Sequence, residues 1–187
     1  MTSRVLIDHR RHSMRTKPGQ HLSQSGVSLA RRVGAGEFGP LPRYDRVVTS
    51  PIPRAFETAI AMGWAVGEQV ERLWIGDDVA RDLSWPLDLD RFADVARTQP
   101  RVATFLDELA RLFEAIANDL PSGGAALVVS HGGVVEMSAL ALLPDASHES
   151  LRKPIGYAEG VRLGFEDGRC VGAEALRVSE RDYLVEN

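Results

Sequence analysis

The chain has 187 residues, 44% hydrophobic and 26% charged, with a formal net charge of −4 at neutral pH. These values suit one folded domain with a real core over residues 1–187, and without a basic excess they argue against a nucleic-acid or membrane-surface binder. A single cysteine, Cys170, excludes an intramolecular disulfide and a Cys-rich zinc site. The apolar run near the N-terminus is too short for a signal peptide, and no stretch approaches the ~20 apolar residues of a membrane helix. The expectation is a soluble, cytoplasmic protein.

Taken in chain order, Val5 to Ile7 reads as a buried strand, followed at once by "DHRRHSMR" over residues 8–15. Ser23 or Ser25 suits a helix cap, the helix running to about Val33, where "GAGEFGPLPR" breaks it with Gly and Pro. Arg46 to Thr49 is a second short strand, and Pro53 suits the first turn of a helix, where its missing N–H costs nothing. Pro100 precedes the clearest amphipathic pattern: Val102, Phe105, Leu106, Leu109, Leu112, Phe113 and Ile116 recur at spacings of three and four. "AALVVS" (125–130) is a third strand, apolar enough to be covered on both faces. Gly133 to Leu143 looks helical, and residues 160–178 read as two strands around an Asp167-Gly168 turn. This alternation predicts an α/β fold, a three-layer α/β/α sandwich with a largely parallel sheet.

In such a sheet, ligands bind beyond the carboxyl ends of the strands. The polar loops after the three predicted strands should therefore converge on one edge. "GAGEFG" (34–39) matches the spacing of a dinucleotide fingerprint but follows a helix instead of a strand, so it reads as a plain loop and no cofactor is expected.

Four segments in series carry a family resemblance. Arg11-His12-Ser13 follows the first strand, then "HLSQSGVSLARRVG", then "YDRVVTSPIPRAFETA" with Ser50, Pro51, Arg54, Ala55, Thr58 and Ala59 in step, then "ALVVSHGGVV". Together they resemble the histidine phosphatase superfamily, the phosphoglycerate mutase-like proteins. The resemblance implies a phosphomonoester hydrolase working through a phosphohistidine.

The residues fit that chemistry. Phosphoryl transfer depends on positioning and on stabilising charge spread over three oxygens. Arginine's planar fork binds two phosphate oxygens at once, so Arg11 and Arg54 suit a clamp. His12 needs a free lone pair to attack phosphorus, and neighbouring arginines disfavour its protonated form. His131 suits a donor to the transferring oxygens, with Gly132 beside it allowing close backbone approach. Arg15 and Lys17 extend the positive rim.

A general acid must protonate the leaving oxygen. The resemblance puts a glutamate in this region. Here the best match is Asp82, after Arg81, with Asp78 an alternative and Asp77 a weaker one; all three also read as solvated loop carboxylates. His9 and His12 are three apart but lack a third ligand at familiar spacing, so no metal site is expected. His21 and His148 read as solvated loop residues.

Three departures from the family pattern stand out. Ser13 replaces a glycine and either crowds the phosphate or adds a hydroxyl donor to it. Glu136 stands where relatives often carry a basic residue, making the rim less positive and disfavouring a bisphosphate substrate. The chain is also short, with residues 83–99 the one candidate lid. A poorly covered phosphohistidine meets water, which favours a phosphatase over a mutase. The expected partner is a small phosphomonoester, with a phosphoprotein conceivable; the other class of function is a non-catalytic phosphate-binding protein. Neither the substrate's alcohol nor the oligomeric state has a sequence signature.

Overall fold

The structure is a computed structural model and describes residues 4–76, 79–80, 89–146 and 149–178. Its organising strand is β1 (Val5–Arg11), which runs four residues beyond the apolar triplet. The extension crosses Asp8, His9 and Arg10, all buried, and it is tolerated because each has partners. Asp8 lies opposite Arg162 in the sheet register and accepts both Arg162 Nε (2.7 Å) and Nη2 (2.9 Å). It also accepts the Tyr44 hydroxyl at 2.6 Å. Arg10 Nη1 donates to the Ala158 carbonyl at 2.9 Å.

Five further strands complete the sheet: β2 (Arg46–Thr49), β3 (Glu68–Gln69), β4 (Ala125–Ser130), β5 (Gly160–Glu166) and β6 (Arg169–Leu176). Their order is β3-β2-β4-β1-β5-β6. Pairings from β3 to β1 are parallel, while β1–β5 and β5–β6 are antiparallel. The two residues of β3, Glu and Gln, carry no strand signal; the backbone pairing with β2 alone makes them one. Between β5 and β6, Asp167 and Gly168 both take positive φ (51° and 76°), the mirror-image turn that matches hairpin twist.

The helices are α1 (Gln24–Gly34), α2 (Pro53–Ala61), α3 (Leu89–Thr98), α4 (Pro100–Asn118) and α5 (Val134–Leu142). Ser23 caps α1 through its side-chain oxygen, which accepts from Gly26 N at 3.1 Å. Strand alternation sorts the helices into two layers. Ala126 and Val128 of β4 face one apolar cluster with Phe92 of α3, Phe113 of α4 and Met137 of α5. Ala125, Leu127 and Val129 face the other, with Leu29 and Val33 of α1 and Ala55 and Ala59 of α2. The result is the expected three-layer sandwich. Of the candidate lid, residues 89–98 instead form α3, whose Phe92 is fully buried in the core. Residues 83–88 lie outside the described residues. Among the described residues no helix is long and apolar enough to cross a membrane.

Replacing Asp8 with Ala should cost about 3–5 kcal/mol, because it strands a half-buried guanidinium and a buried hydroxyl. A urea unfolding midpoint close to wild type would contradict this account of β1.

Candidate functional site

The carboxyl ends of β1, β2 and β4 deliver four of the predicted site residues to one place. His12 follows β1, with its backbone N–H on the Ser130 carbonyl at 2.8 Å. Arg54 sits in the first turn of α2, set by the Ser50–Pro53 turn after β2. His131 follows β4, and Arg11 ends β1.

His12 Nδ1 lies 2.7 Å from the backbone carbonyl of Ser13. A carbonyl only accepts, so Nδ1 carries the proton and Nε2 keeps a lone pair. Arg54 Nε donates to that lone pair at 3.0 Å. Burial holds the His12 pKa well below its ordinary value, and the His131, Arg11 and Arg54 charges push the same way against the Ser13 hydrogen bond. His12 is therefore a neutral imidazole with a directed nucleophilic nitrogen.

His131 is the other neighbour of Arg54. Arg54 Nη2 lies 3.3 Å from its Nδ1, and its Nε2 lies 2.9 Å from Ser50 Oγ. Since a guanidinium only donates, Nδ1 accepts and Nε2–H points at the serine. Burial, then Arg54 and Arg11, lower its pKa to about 3. The two imidazole rings stand edge to face, 5.3 Å apart. Arg54 itself has its pKa lowered to about 10, by burial first and then by Arg15 and Arg11. Its hydrogen bonds among the described residues go to neutral acceptors: His12, His131 and the Gln20 side-chain oxygen. Three mutually repelling guanidiniums around two neutral imidazoles suit a dianion.

Two aromatic side chains wall the cluster. Tyr157 lies under Arg11, 4.2 Å from Cζ to the ring centre, and 5.8 Å from the His12 ring. Trp74 stands edge-on to His131 at 4.9 Å. Arg11 Nη1 donates to the Ile155 carbonyl at 2.9 Å. Gln20, Trp74, Tyr157 and Ile155 lie in loops without a motif, so nothing in the sequence singled them out.

The other predicted residues divide. Arg15 lies at the edge, its guanidinium donating to the Gly19 (2.9 Å) and Pro18 (3.4 Å) carbonyls. Ser13 is fully buried; its hydroxyl donates to the Gly26 carbonyl at 2.7 Å and its amide to Thr58 Oγ1 at 2.9 Å, so it ties β1's end to α1 and α2. Gly132 sits in the turn before Gly133, whose φ of +83° requires glycine. Asp77, Asp78, Asp82 and His148 lie outside the described residues. Glu136 is not on the rim: it is buried and accepts from the Gly133 and Ile155 amides. His21 is exposed but hydrogen-bonded to Glu57. His9 is held between Ser138 Oγ (2.8 Å) and Ser130 Oγ (2.6 Å). Among the described residues no cluster of His, Cys, Asp and Glu is placed to hold a metal ion.

No family model matches the chain, and no curated protein matches it in sequence. Solved structures do match. The phosphoserine phosphatase of Entamoeba histolytica, in complex with 3-phosphoglyceric acid, aligns with 94% of this chain and 98% of its own at a TM-score of 0.64 and 16% identity. The phosphoglycerate mutase of Bacillus anthracis aligns with 91% and 92%, at 0.61 and 16%. The fold is that of the phosphoglycerate mutase-like histidine phosphatases. A mycobacterial glucosyl-3-phosphoglycerate phosphatase shares this phosphoglycerate mutase-like fold at a TM-score of 0.55 and 19% identity, over 94% of this chain and 97% of that one.

The neutral histidines tie stability to pH. His9 and His131 have folded pKa values of about 3, and His12 is also lowered, against roughly 6.5 when unfolded. Between those values the unfolded chain binds more protons, so stability falls as pH drops below about 6.5. Glu136, whose pKa is raised by burial against its backbone hydrogen bonds and the Arg11 charge, acts in the opposite sense. Each buried imidazole contributes a slope of up to about 1.4 kcal/mol per pH unit. Urea unfolding should therefore give a lower midpoint at pH 5.5 than at pH 7.5; equal midpoints would mean the imidazoles are not held neutral.

Proposed function

We propose that the protein is a metal-independent phosphomonoester hydrolase that acts through a phosphohistidine at Nε2 of His12. The observation that carries this reading is the His12 tautomer. The Ser13 carbonyl accepts a hydrogen bond from Nδ1–H and so presents the Nε2 lone pair to a pocket of arginines. The phosphatases and the mutase that share the fold favour the same chemistry.

In this mechanism the phosphoryl oxygens sit between Arg11 and Arg54, with Arg15 adding long-range positive charge. The incoming phosphoryl group draws Arg54 Nε off His12 Nε2, and the freed lone pair attacks phosphorus in line, forming P–N as the P–O bond to the alcohol breaks. The departing alkoxide takes a proton from a carboxylic acid, for which Asp82, Asp78 and Asp77 are the candidates. Water then attacks the phosphohistidine, P–N breaks, and the carboxylate takes the water's proton. Once a dianion draws Arg54 off His131 Nδ1, that nitrogen takes a proton from solvent and becomes a donor to the phosphoryl oxygens. The substrate class is a small phosphomonoester. Ser13 acts through the loop and not on phosphate, because its hydroxyl is committed to Gly26.

p-Nitrophenyl phosphate with a chelator present tests the proposal. His12→Ala should abolish turnover, and Arg54→Ala should lower kcat/KM by on the order of 10²–10³-fold. Turnover surviving in His12→Ala would mean a different nucleophile. No turnover in either protein, with the wild type still stabilised by orthovanadate, would make it a phosphate-binding protein instead. Asp82→Asn, Asp78→Asn and Asp77→Asn identify the acid: the correct one loses activity most on substrates with poor leaving groups.

A further inference from the structure

Glu136 is the charge least expected in the interior, at 1% exposure on the first turn of α5. Each carboxylate oxygen has its own backbone partner. Oε2 accepts from Gly133 N at 2.9 Å, in the turn two residues after His131. Oε1 accepts from Ile155 N at 2.8 Å. The carbonyl of that same Ile155 receives Arg11 Nη1 at 2.9 Å, and Tyr157, two residues on, stacks on the Arg11 guanidinium.

The Ile155 segment is pinned from its other side as well. Glu159, equally buried, accepts from Gly156 N (2.9 Å), Val178 N (3.1 Å) and Arg177 Nη1 (2.8 Å). Arg177 also donates to the Ser150, Lys153 and Pro154 carbonyls. A backbone anchored at this many points holds the Ile155 carbonyl in one position. Glu136 is where this anchored segment meets the His131 turn.

We propose that Glu136 is a positioning residue for the phosphate clamp, setting Arg11 and His131 relative to each other by holding the Ile155 and Gly133 amides on one carboxylate. The inference rests on the phosphate-binding reading of the pocket. A carboxylate is needed because both of its oxygens accept. Glutamine in the same place offers one acceptor and one NH₂, and the NH₂ meets a backbone N–H, donor against donor. Glu136 touches no substrate in this scheme.

Orthovanadate binding by calorimetry and p-nitrophenyl phosphate kinetics, on wild type, Glu136→Gln and Val33→Ala, test it. Val33 lies in the last turn of α1, beside the C-terminal end of α2 and away from Arg54 in its first turn. It is also on the opposite face of the sheet from α5, so its truncation destabilises without reaching the Glu136 contacts. Folded Glu136→Gln should bind orthovanadate about tenfold more weakly and lose about tenfold or more in kcat, since a small misplacement of a positioned group is amplified in rate. Val33→Ala should keep both within about twofold at a comparable loss of Tm. Glu136→Gln with a lowered Tm but wild-type affinity and turnover would overturn the proposal, leaving a structural role only. Should Glu136→Gln not fold, amide hydrogen exchange in the wild type decides: orthovanadate should slow exchange at Gly133 and Ile155 together, and unchanged exchange at either would overturn it. Wild type that binds orthovanadate without turnover sinks the hydrolase reading alone, because affinity still reads the positioning. Wild type that binds none overturns both.

Discussion

One guanidinium between two imidazoles governs this molecule. Arg54 donates to His12 through Nε and lies within hydrogen-bond distance of His131 through Nη2. A permanent cation in that position requires both rings to be neutral and requires both to present a lone pair toward it. Two acceptors complete the requirement: the Ser13 carbonyl accepts from Nδ1–H of one ring and the Ser50 hydroxyl oxygen accepts from Nε2–H of the other. The two imidazoles and the guanidinium between them are thus a single arrangement, and it suits an anion.

Holding that arrangement requires buried charge, and the fold handles each instance differently. Asp8 is matched by a bidentate guanidinium and a phenol. Glu159 has a guanidinium and two amides. Glu136 has two backbone amides, with the Arg11 charge also favouring its ionised form. The differences follow location. The paired carboxylates lie where an arginine reaches in from the half-buried margin; Glu136 lies behind the clamp, and there another cation would repel Arg11.

The topology explains why the loops meet. Strands β2, β4 and β1 are neighbours and parallel, so their carboxyl ends share an edge, and His12, the Ser50–Arg54 turn and His131 follow directly. The antiparallel β5 enters from the opposite direction, which brings the chain just before it, with Ile155 and Tyr157, to that same edge. The pocket is therefore built from three strand exits and one strand entrance.

Much of this was written in local sequence. Apolar runs and helical spacing marked five of the six strands and the main helices, because each of those elements buries a face whose period is visible one residue at a time. Arg11, His12, Arg54 and His131 were legible because each follows a strand in a short polar loop, and parallel order alone brings such loops together. The purely tertiary decisions have a common cause: each depends on a partner distant in the chain. The Glu-Gln pair of β3 is a strand only through β2. Ser13, a glycine substitute facing the phosphate on a local reading, turns instead to Gly26. Glu136, a rim charge on the family resemblance, is buried because the Gly133 and Ile155 amides meet it there. The sequence by itself determined which residues follow the strands into one pocket; only the folded chain decided which ring nitrogen meets which partner and where the Glu136 carboxylate lies, since those are set by hydrogen bonds between segments that no local pattern connects.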